Sequence, residues 1–270
     1  MDLKSLVNRF TIYQYMASFL IILAIISVFF YGFSVSSLLY VLVAVLTTTI
    51  LDLLINYYKF KSWEFPYSAF ISGLFIGGLL TQNLPWWVYV AAGVIAIASK
   101  HIIKVHGKHI FNPANFGILI VFIVFNAPNS WWISSPLFLV IILGLFILWR
   151  LRRFDLALSF LITYYFVHLI FLLRDISPIN HFWNIVAQGS TILFFTMYML
   201  IEPKTNPAAR KQRIIYGILV AFMLIGIEIY NPVFGIPFVL TVANLFVPLL
   251  NRVSFEFRKK DAAVSASQNQ

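Results

Sequence analysis

Few side chains in this 270-residue sequence can do chemistry, and many of them surround the stretch HIFNPANFG at residues 109–117. The loop that leads into this stretch contains Lys100, His101, Lys104, His106 and Lys108. Such side chains could bind an anionic head group, a flavin phosphate or a haem, although a basic anchor that fixes membrane topology explains the loop equally well. A haem needs two facing ligands, and outside the loop only His168 and His181 lie deep enough in an apolar run. For His168 alone, we expect a hydrogen-bonded core histidine.

Two acidic side chains interrupt apolar runs. Asp52 lies late in a long apolar stretch, and an acid at that depth normally forms a pair or faces a water-filled cavity. We expect Lys59 or Lys61 to be its partner. Glu202 separates an apolar run from a basic one in YMLIEPKTNPAARKQRIIYG, and we expect it to form a local ion pair with Lys204 or Arg210.

The composition identifies the solvent of this chain as a lipid bilayer. Hydrophobic residues make up 61% of the sequence, charged residues only 10%, and the mean hydropathy is +0.90. The net charge of +10 comes from small basic groups between apolar runs, which argues against nucleic acid as a partner. The sequence contains no cysteine, so thiolate metal sites are excluded, and nothing in it predicts a catalytic residue or a metal ligand set.

Hydropathy and Gly/Pro punctuation predict an all-α integral membrane protein with about ten transmembrane helices. The predicted spans are residues 12–31, 34–56, 67–80, 86–99, 113–125, 137–149, 154–172, 185–200, 214–229 and 233–250. The shortest of them cannot cross a hydrocarbon layer of about 30 Å at about 1.5 Å per residue. We therefore expect some of them to be broken helices or half-helices that other parts of the protein shield from lipid.

The basic residues predict the orientation of these spans. Both termini and the even-numbered connections hold 18 of the 19 Lys and Arg residues, and the odd-numbered connections hold only Arg174. We expect the protein to lie in the cytoplasmic (inner) membrane of the cell. The positive-inside rule then places both of its termini in the cytoplasm. We expect residues 1–11 to form a cytoplasmic N-terminal segment and residues 252–270 to form a basic, polar and disordered tail. Trp86, Trp87, Trp131 and Trp132 lie next to predicted span ends, so we expect them to belong to an aromatic belt at the membrane interface.

A repeated Asn-Pro step suggests two inverted halves. Asn112-Pro113 and Asn231-Pro232 lie 119 positions apart, in HIFNP and EIYNP, with five predicted spans between them. An odd number of crossings inverts the second copy, which predicts five-helix repeats at residues 12–126 and 137–251 with an external connection at residues 127–136. Each Asn could cap a helix that begins at the following Pro. Because Asn-Pro is a common helix-start signal, the match could also arise by chance.

Several ordered motifs resemble one known family. The stretch YSAFISGLFIGGLLTQNLPWW (67–87) resembles the family's Gly-rich third span and Pro-Trp-Trp turn, HIFNPANFG resembles its I-F-N-P-A motif, and IEPKTNP (201–207) resembles its T-D-P-V-T-S-P turn. RIIYGILVAF and FVLTVANLFVPLLNR resemble its last two helices. The family is that of the membrane proteins RnfD, from the Rnf ferredoxin:NAD oxidoreductase, and NqrB, from the sodium-translocating NADH:quinone oxidoreductase. The resemblance begins at about residue 50.

The resemblance implies a membrane subunit of a redox-driven Na⁺ or H⁺ pump, which works with other membrane and peripheral subunits and is not an enzyme alone. The family attaches a flavin to the threonine of a Ser-Gly-Ala-Thr segment between its fifth and sixth spans, where this chain has NAPNSWWISSP at residues 126–136. Thr191 belongs to a different span. Covalent FMN is therefore not expected, and non-covalent FMN or riboflavin between the repeats is the predicted cofactor.

The residues expected to shape the cofactor site come from three motifs. They are Asn112, Pro113, Asn115 and Gly117 in one half, Glu202, Thr205 and Pro207 at the cytoplasmic turn, and Asn231 and Pro232 on the opposite side. Two alternatives remain open at this stage. The missing attachment segment also fits a transporter or channel-like protein that keeps the fold without redox chemistry, or a scaffold subunit that seats its partners.

Overall fold

The computed structural model describes residues 9–105, 107–174, 178–230 and 235–268, and within them it shows ten α-helices. The helices are α1 (Ile12–Tyr31), α2 (Ser36–Phe60), α3 (Tyr67–Leu79), α4 (Trp86–Ile102), α5 (Pro113–Phe125), α6 (Leu137–Leu151), α7 (Phe154–Arg174), α8 (Pro178–Phe194), α9 (Arg210–Tyr230) and α10 (Gly235–Gln268). A two-stranded hairpin of β1 (Lys104–Val105) and β2 (Lys108–His109) precedes α5. A 3₁₀ turn (Trp132–Ser134) precedes α6, and a π-helical turn (Phe195–Met199) continues α8.

Local sequence accounts for where several helices begin and end. Thr11 and Gln14 form a capping box at the start of α1, and Gly32 ends this helix in the left-handed region at φ 74°. Asn112 caps α5 as expected, because its side chain accepts a hydrogen bond from the Asn115 N–H and Pro113 occupies the first turn. The Asn-Pro step is therefore a true helix start in the first half of the chain.

The helix lengths confirm a membrane protein with short helices inside it. Within the described residues, five helices have at least 18 residues and enough apolar character to cross a membrane, namely α1, α2, α7, α9 and the Gly235–Arg252 part of α10. In contrast, α3 and α5 have 13 residues each, which corresponds to about 20 Å. A hydrocarbon layer is about 30 Å thick, so these two helices have the reduced length that their sequences predicted.

Small residues bring several helices, short and long, close to their neighbours. A Cβ atom at Gly73 of α3 would lie 2.5 Å from the Val45 Cα of α2, and a Cβ atom at Gly117 of α5 would clash with the Ala92 carbonyl oxygen of α4. Gly217 of α9 similarly approaches the backbone of α7. In a lipid bilayer the hydrophobic effect does not drive helices together, and close backbone packing at small residues stabilises their association instead.

Corresponding helices pack together in the first half of the chain (α1–α5) and in the second half (α6–α10). In the first half α2 packs on α3 and α4, and α4 packs on α5; in the second half α7 packs on α8 and α9, and α9 packs on α10. The halves meet where α5 contacts α10 and where α1 contacts α6. The inversion of one half relative to the other stays a prediction.

The basic connections lie together at one end of the bundle, here called the basic end. Lys100 near the end of α4 donates to Ser68 at the start of α3, Arg213 of α9 pairs with Asp155 of α7, and Asn251 accepts from the Ala208 N–H just before α9. At the other end, Thr81 after α3 bonds to Pro128 in the connection before α6. Which end faces the cytoplasm stays a prediction.

The prediction of an interfacial belt was wrong for two of its four tryptophans. Trp86 and Trp87 are exposed as expected, but Trp131 and Trp132 are buried. The connection at residues 127–136 folds back over the end of α3, where the Trp132 indole N–H donates to the Gly77 carbonyl at 3.0 Å. An indole buried with its N–H satisfied needs no interface, which explains the difference.

The last helix also differs from the sequence-based expectation. The polar tail was predicted to be disordered from residue 252, whereas α10 continues as helix to Gln268. Alanine and lysine, which favour helix, are frequent in this stretch, so a helix already started can be extended through it.

Candidate functional site: a polar junction between the two halves

The start of α5 is joined to α10 by buried amide groups. Asn115 is 1% exposed, and its Nδ2 donates to the Pro237 carbonyl and to the Thr241 Oγ1, both at 2.8 Å. Thr241 in turn donates to the Pro237 carbonyl within α10 at 2.9 Å. Leaving these groups unpaired in an apolar interior would cost free energy, so the hydrogen bonds fix how α5 sits on α10.

Asn244, which is fully buried, joins three more elements. Its amide orientation follows from the surrounding network: Oδ1 accepts from the Asn112 N–H at 3.1 Å, while Nδ2 donates to the Thr205 carbonyl at 3.1 Å and to the Tyr216 hydroxyl oxygen at 2.7 Å. One side chain thus connects the start of α5, the turn before α9, and α9 itself. We call the set of Asn112, Asn115, Thr205, Tyr216, Thr241 and Asn244 the polar junction.

The turn at Glu202 forms the edge of the polar junction. It follows the π-helical turn, and Thr205 and Asn206 fold back onto Glu202, with Asn206 Nδ2 donating to the Glu202 carbonyl at 2.7 Å. The predicted ion pair with Lys204 or Arg210 was wrong. The carboxylate instead faces His109 at 3.4 Å, because the hairpin before α5 brings this imidazole to the turn.

A charged cluster lies beside the junction. Asp52 is 1% exposed and binds the Lys100 ammonium at 2.7 Å and the His101 Nε2 at 2.6 Å. Lys100 also donates to Ser68 at 2.8 Å and lies within electrostatic range of Glu202. The expectation that Lys59 or Lys61 pairs with Asp52 was wrong, because α4 packs on α2 with the last turn of α4 beside Asp52.

A second acid–imidazole cluster lies between α7 and α9. Glu228 Oε1 accepts from the Tyr164 hydroxyl at 2.9 Å, and Glu228 Oε2 lies 3.2 Å from His168 Nε2. The expectation that His168 is a hydrogen-bonded core histidine is confirmed. The loop residue His106 and the side chain of His181 lie outside the part that the structure describes.

The structure gathers most of the residues expected at the cofactor site. Asn112, Pro113, Glu202, Thr205 and Pro207 lie at or next to the polar junction, and all of them except Glu202 are buried. Asn115 belongs to the junction itself. Gly117 lies one turn further along α5 and serves the contact with α4. Asn231 and Pro232 lie outside the described residues.

Sequence reasoning missed Thr241, Asn244 and Tyr216. The signal for Thr241 and Asn244 was present in FVLTVANLFVPLL, where these two polar side chains interrupt an otherwise apolar stretch. Polar residues inside a membrane helix usually face a polar partner in the bundle, so this interruption could have predicted them.

A pocket opens beside the junction, between α1, α3 and the Glu202 turn. Its wall includes Tyr13, Phe75, Asn112, Tyr198 and Glu202, and its volume is about 80 Å³. Pockets for cofactor-sized ligands have volumes of about 300–1,000 Å³. In this structure the pocket is therefore too small for an isoalloxazine ring, and Glu202, the one charged residue among the described residues of its wall, disfavours a phosphate.

These features define a multi-pass, mainly helical membrane protein whose halves dock through a buried polar junction at the start of a half-length helix. The model of the NQR2, RnfD, RnfE family matches residues 6–137 and residues 128–258. The chain belongs to this family.

Two curated proteins are similar to parts of the chain. One, from Buchnera aphidicola subsp. Schizaphis graminum, is a subunit of an ion-translocating oxidoreductase complex and is 29% identical over 140 residues, which are 49% of this chain and 39% of that protein. The other, from Chromohalobacter salexigens, is a subunit of a Na⁺-translocating NADH-quinone reductase and is 27% identical over 96 residues, 33% of this chain and 23% of that protein. The matched stretches thus span less than half of either relative.

Proposed function

We propose that this protein is a membrane subunit of a redox-driven, ion-translocating electron-transport complex in the cytoplasmic membrane. The observation that carries the proposal is the family match over both halves of the chain, together with the names of the two relatives. The polar junction supports it, because the motif most typical of the family, HIFNPAN, lies at the contact between the halves. Other membrane and peripheral subunits would supply the electron donor and acceptor.

The described residues suggest what this subunit contributes. The polar junction holds α5 against α10 in one register, and half-length helices of this kind occur where transport proteins bind their substrates. The buried charged cluster and the Glu202 turn place ionisable groups at the basic end of the bundle, next to the pocket. Ionisable groups inside a membrane domain commonly belong to ion or proton pathways.

Reconstitution tests the proposal. Produced with the proteins encoded beside it, the tagged chain should co-purify with other subunits. In proteoliposomes the complex should take up Na⁺ or H⁺ only when an electron donor and an acceptor are supplied. The matched control is the chain purified and reconstituted alone, which should show no uptake. A complex that translocates nothing in the presence of donor and acceptor would contradict the proposal.

Non-covalent riboflavin or FMN remains a prediction for the pocket. When bound, a flavin carries electrons, and the protein orients it and sets its electrostatic surroundings. Tyr13, Phe75 and Tyr198 offer aromatic surfaces, but the pocket would have to widen before a ring could enter. Glu202 favours neutral riboflavin over a flavin with a phosphate.

Acid precipitation distinguishes the modes of flavin attachment. After gentle purification with its partner subunits, we expect flavin absorbance in the supernatant and none in the protein pellet of this chain. Flavin that stays with the pellet would show covalent attachment, and flavin in neither fraction would remove the cofactor prediction. A separate protein that carries covalent flavin, precipitated in the same way, is the positive control.

A transporter without redox chemistry is the second candidate. The observation that favours it is the connection at residues 126–136, which has no threonine for flavin attachment and is folded over the end of α3. Substrate uptake by the chain alone, without donor or acceptor, would support this candidate. A scaffold role would appear as an Asn112→Ala variant that keeps the activity of assembled complex but fails to assemble normally.

A further inference from the structure

We infer that a groove at the basic end, between α6, α7 and α9, binds the phosphate of an anionic phospholipid. The groove is lined by Trp149, Arg152, Phe154, Asp155, Arg210 and Arg213, and its volume is about 400 Å³. It is separate from the pocket beside the polar junction, and the proposed function makes no use of it.

The groove carries more positive than negative charge, because three arginines and one aspartate line it. Arg213 binds Asp155 through Nε at 2.9 Å and through a terminal nitrogen at 2.5 Å, so these two residues neutralise each other. Among the described residues, Arg152 and Arg210 form no ion pair with an acidic side chain. Two guanidinium groups in the wall of one groove therefore remain without a counter-charge, and a phosphate with two or more oxygens matches their forked geometry.

The helix ends add to this preference for an anion. Helices α7 and α9 both begin at the groove, at Phe154 and at Arg210. The first turn of a helix presents unpaired N–H groups and the positive end of the helix dipole. Asp155 accepts from only one of these N–H groups, that of Leu156, at 3.0 Å. Two helix starts and two uncompensated arginines thus favour negative charge at the same place.

An exposed apolar stripe identifies the anion as a lipid. Phe154, Leu158, Ile162 and Phe166 follow one another at four-residue spacing along α7, and they are 38%, 50%, 65% and 60% exposed. The stripe starts in the groove and continues along a helix that is long and apolar enough to span the membrane. Trp149 of α6, which is 56% exposed, also lines the groove, and exposed tryptophans are typical of the membrane interface. A phosphate in the groove would therefore have acyl chains lying on this stripe.

Native mass spectrometry of the delipidated full chain in detergent tests the inference. Phosphatidylglycerol should form adducts at a concentration at least about tenfold lower than phosphatidylcholine with the same acyl chains, since each arginine near the surface favours an anionic head group. Inorganic phosphate in large excess should leave these adducts in place. Equal binding of the two lipids, or loss of the adducts with inorganic phosphate, would overturn the inference.

Paired variants locate the site. The Arg152→Gln/Arg210→Gln protein should lose the preference for phosphatidylglycerol, and its Asp155–Arg213 pair is left intact. The control is Lys104→Gln/Lys108→Gln, which removes the same charge from two exposed lysines of the β-hairpin outside the groove. A preference that the groove variant keeps, or that both variants lose equally, would contradict the assignment. The wild-type lipid comparison stands even if a variant does not fold.

Discussion

Replacing Asp52 by leucine is expected to lower the free energy of unfolding by about 3 kcal/mol, because it leaves the Lys100 ammonium, whose side chain is only 14% exposed, without its carboxylate. The carboxylate also accepts from His101, whose Nδ1 is itself buried without a hydrogen-bond partner among the described residues. The change can be measured as a fall in the midpoint of thermal unfolding of the protein in detergent. Exposed Glu64→Gln is the matched control and should leave the midpoint unchanged.

A second substitution separates charge from packing. In the Asp52→Leu background, Lys100→Met removes the unpaired ammonium while keeping a side chain of similar length. Apolar replacement of a whole buried ion pair is often neutral or stabilising, so the double variant should recover most of the lost stability. A double variant that is no more stable than Asp52→Leu would show that the pair contributes mainly by shape.

Asn244→Leu is the other change with a large expected effect, a destabilisation of about 3 kcal/mol. The substitution keeps the branched shape and the number of side-chain heavy atoms but leaves the Asn112 N–H, the Thr205 carbonyl and the Tyr216 hydroxyl without this partner in a dry interior, at about 1–3 kcal/mol for each group left unsatisfied. Thermal unfolding in detergent measures the loss of stability. Faster amide hydrogen exchange in the first turn of α5 measures the local opening.

Ser99→Ala provides the comparison for Asn244→Leu. Ser99 is also buried, but its hydroxyl donates to Ala96 within the same helix, so its removal leaves no partner from another helix unsatisfied. We expect less than about 1 kcal/mol for this change. If the two variants were equally stable, Asn244 would not be a connection between the halves.

Properties that depend on the order of residues along the chain were predictable from the sequence. The run of apolar spans, the reduced length of α3 and α5, and the helix start at Asn112-Pro113 follow from hydropathy and capping, which act within a few residues. The gathering of the basic connections at one end follows from their alternation along the chain. These expectations needed no knowledge of which helix packs on which.

Properties that depend on contacts between helices were not predictable. Asp52 was expected to pair with a lysine seven or nine residues away, but its partners Lys100 and His101 are 48 and 49 positions distant. Glu202 likewise pairs with His109, 93 positions earlier, and not with a neighbour. An aromatic residue next to a span end is typical of the interface, and only the fold-back of the connection over α3 decides that Trp132 is buried.

The chemistry of the polar junction has a consequence for how the protein responds to its surroundings. Asn112, Asn115, Thr241 and Asn244 act through amide, hydroxyl and main-chain groups, none of which gains or loses a proton near neutrality. Ions in water weaken interactions between charges, and they have little effect on neutral groups in a dry interior. The hydrogen bonds of the polar junction are therefore indifferent to acidity and ionic strength, so any sensitivity of the contact between the halves has its origin in other groups, among them the Glu202–His109 contact at its edge.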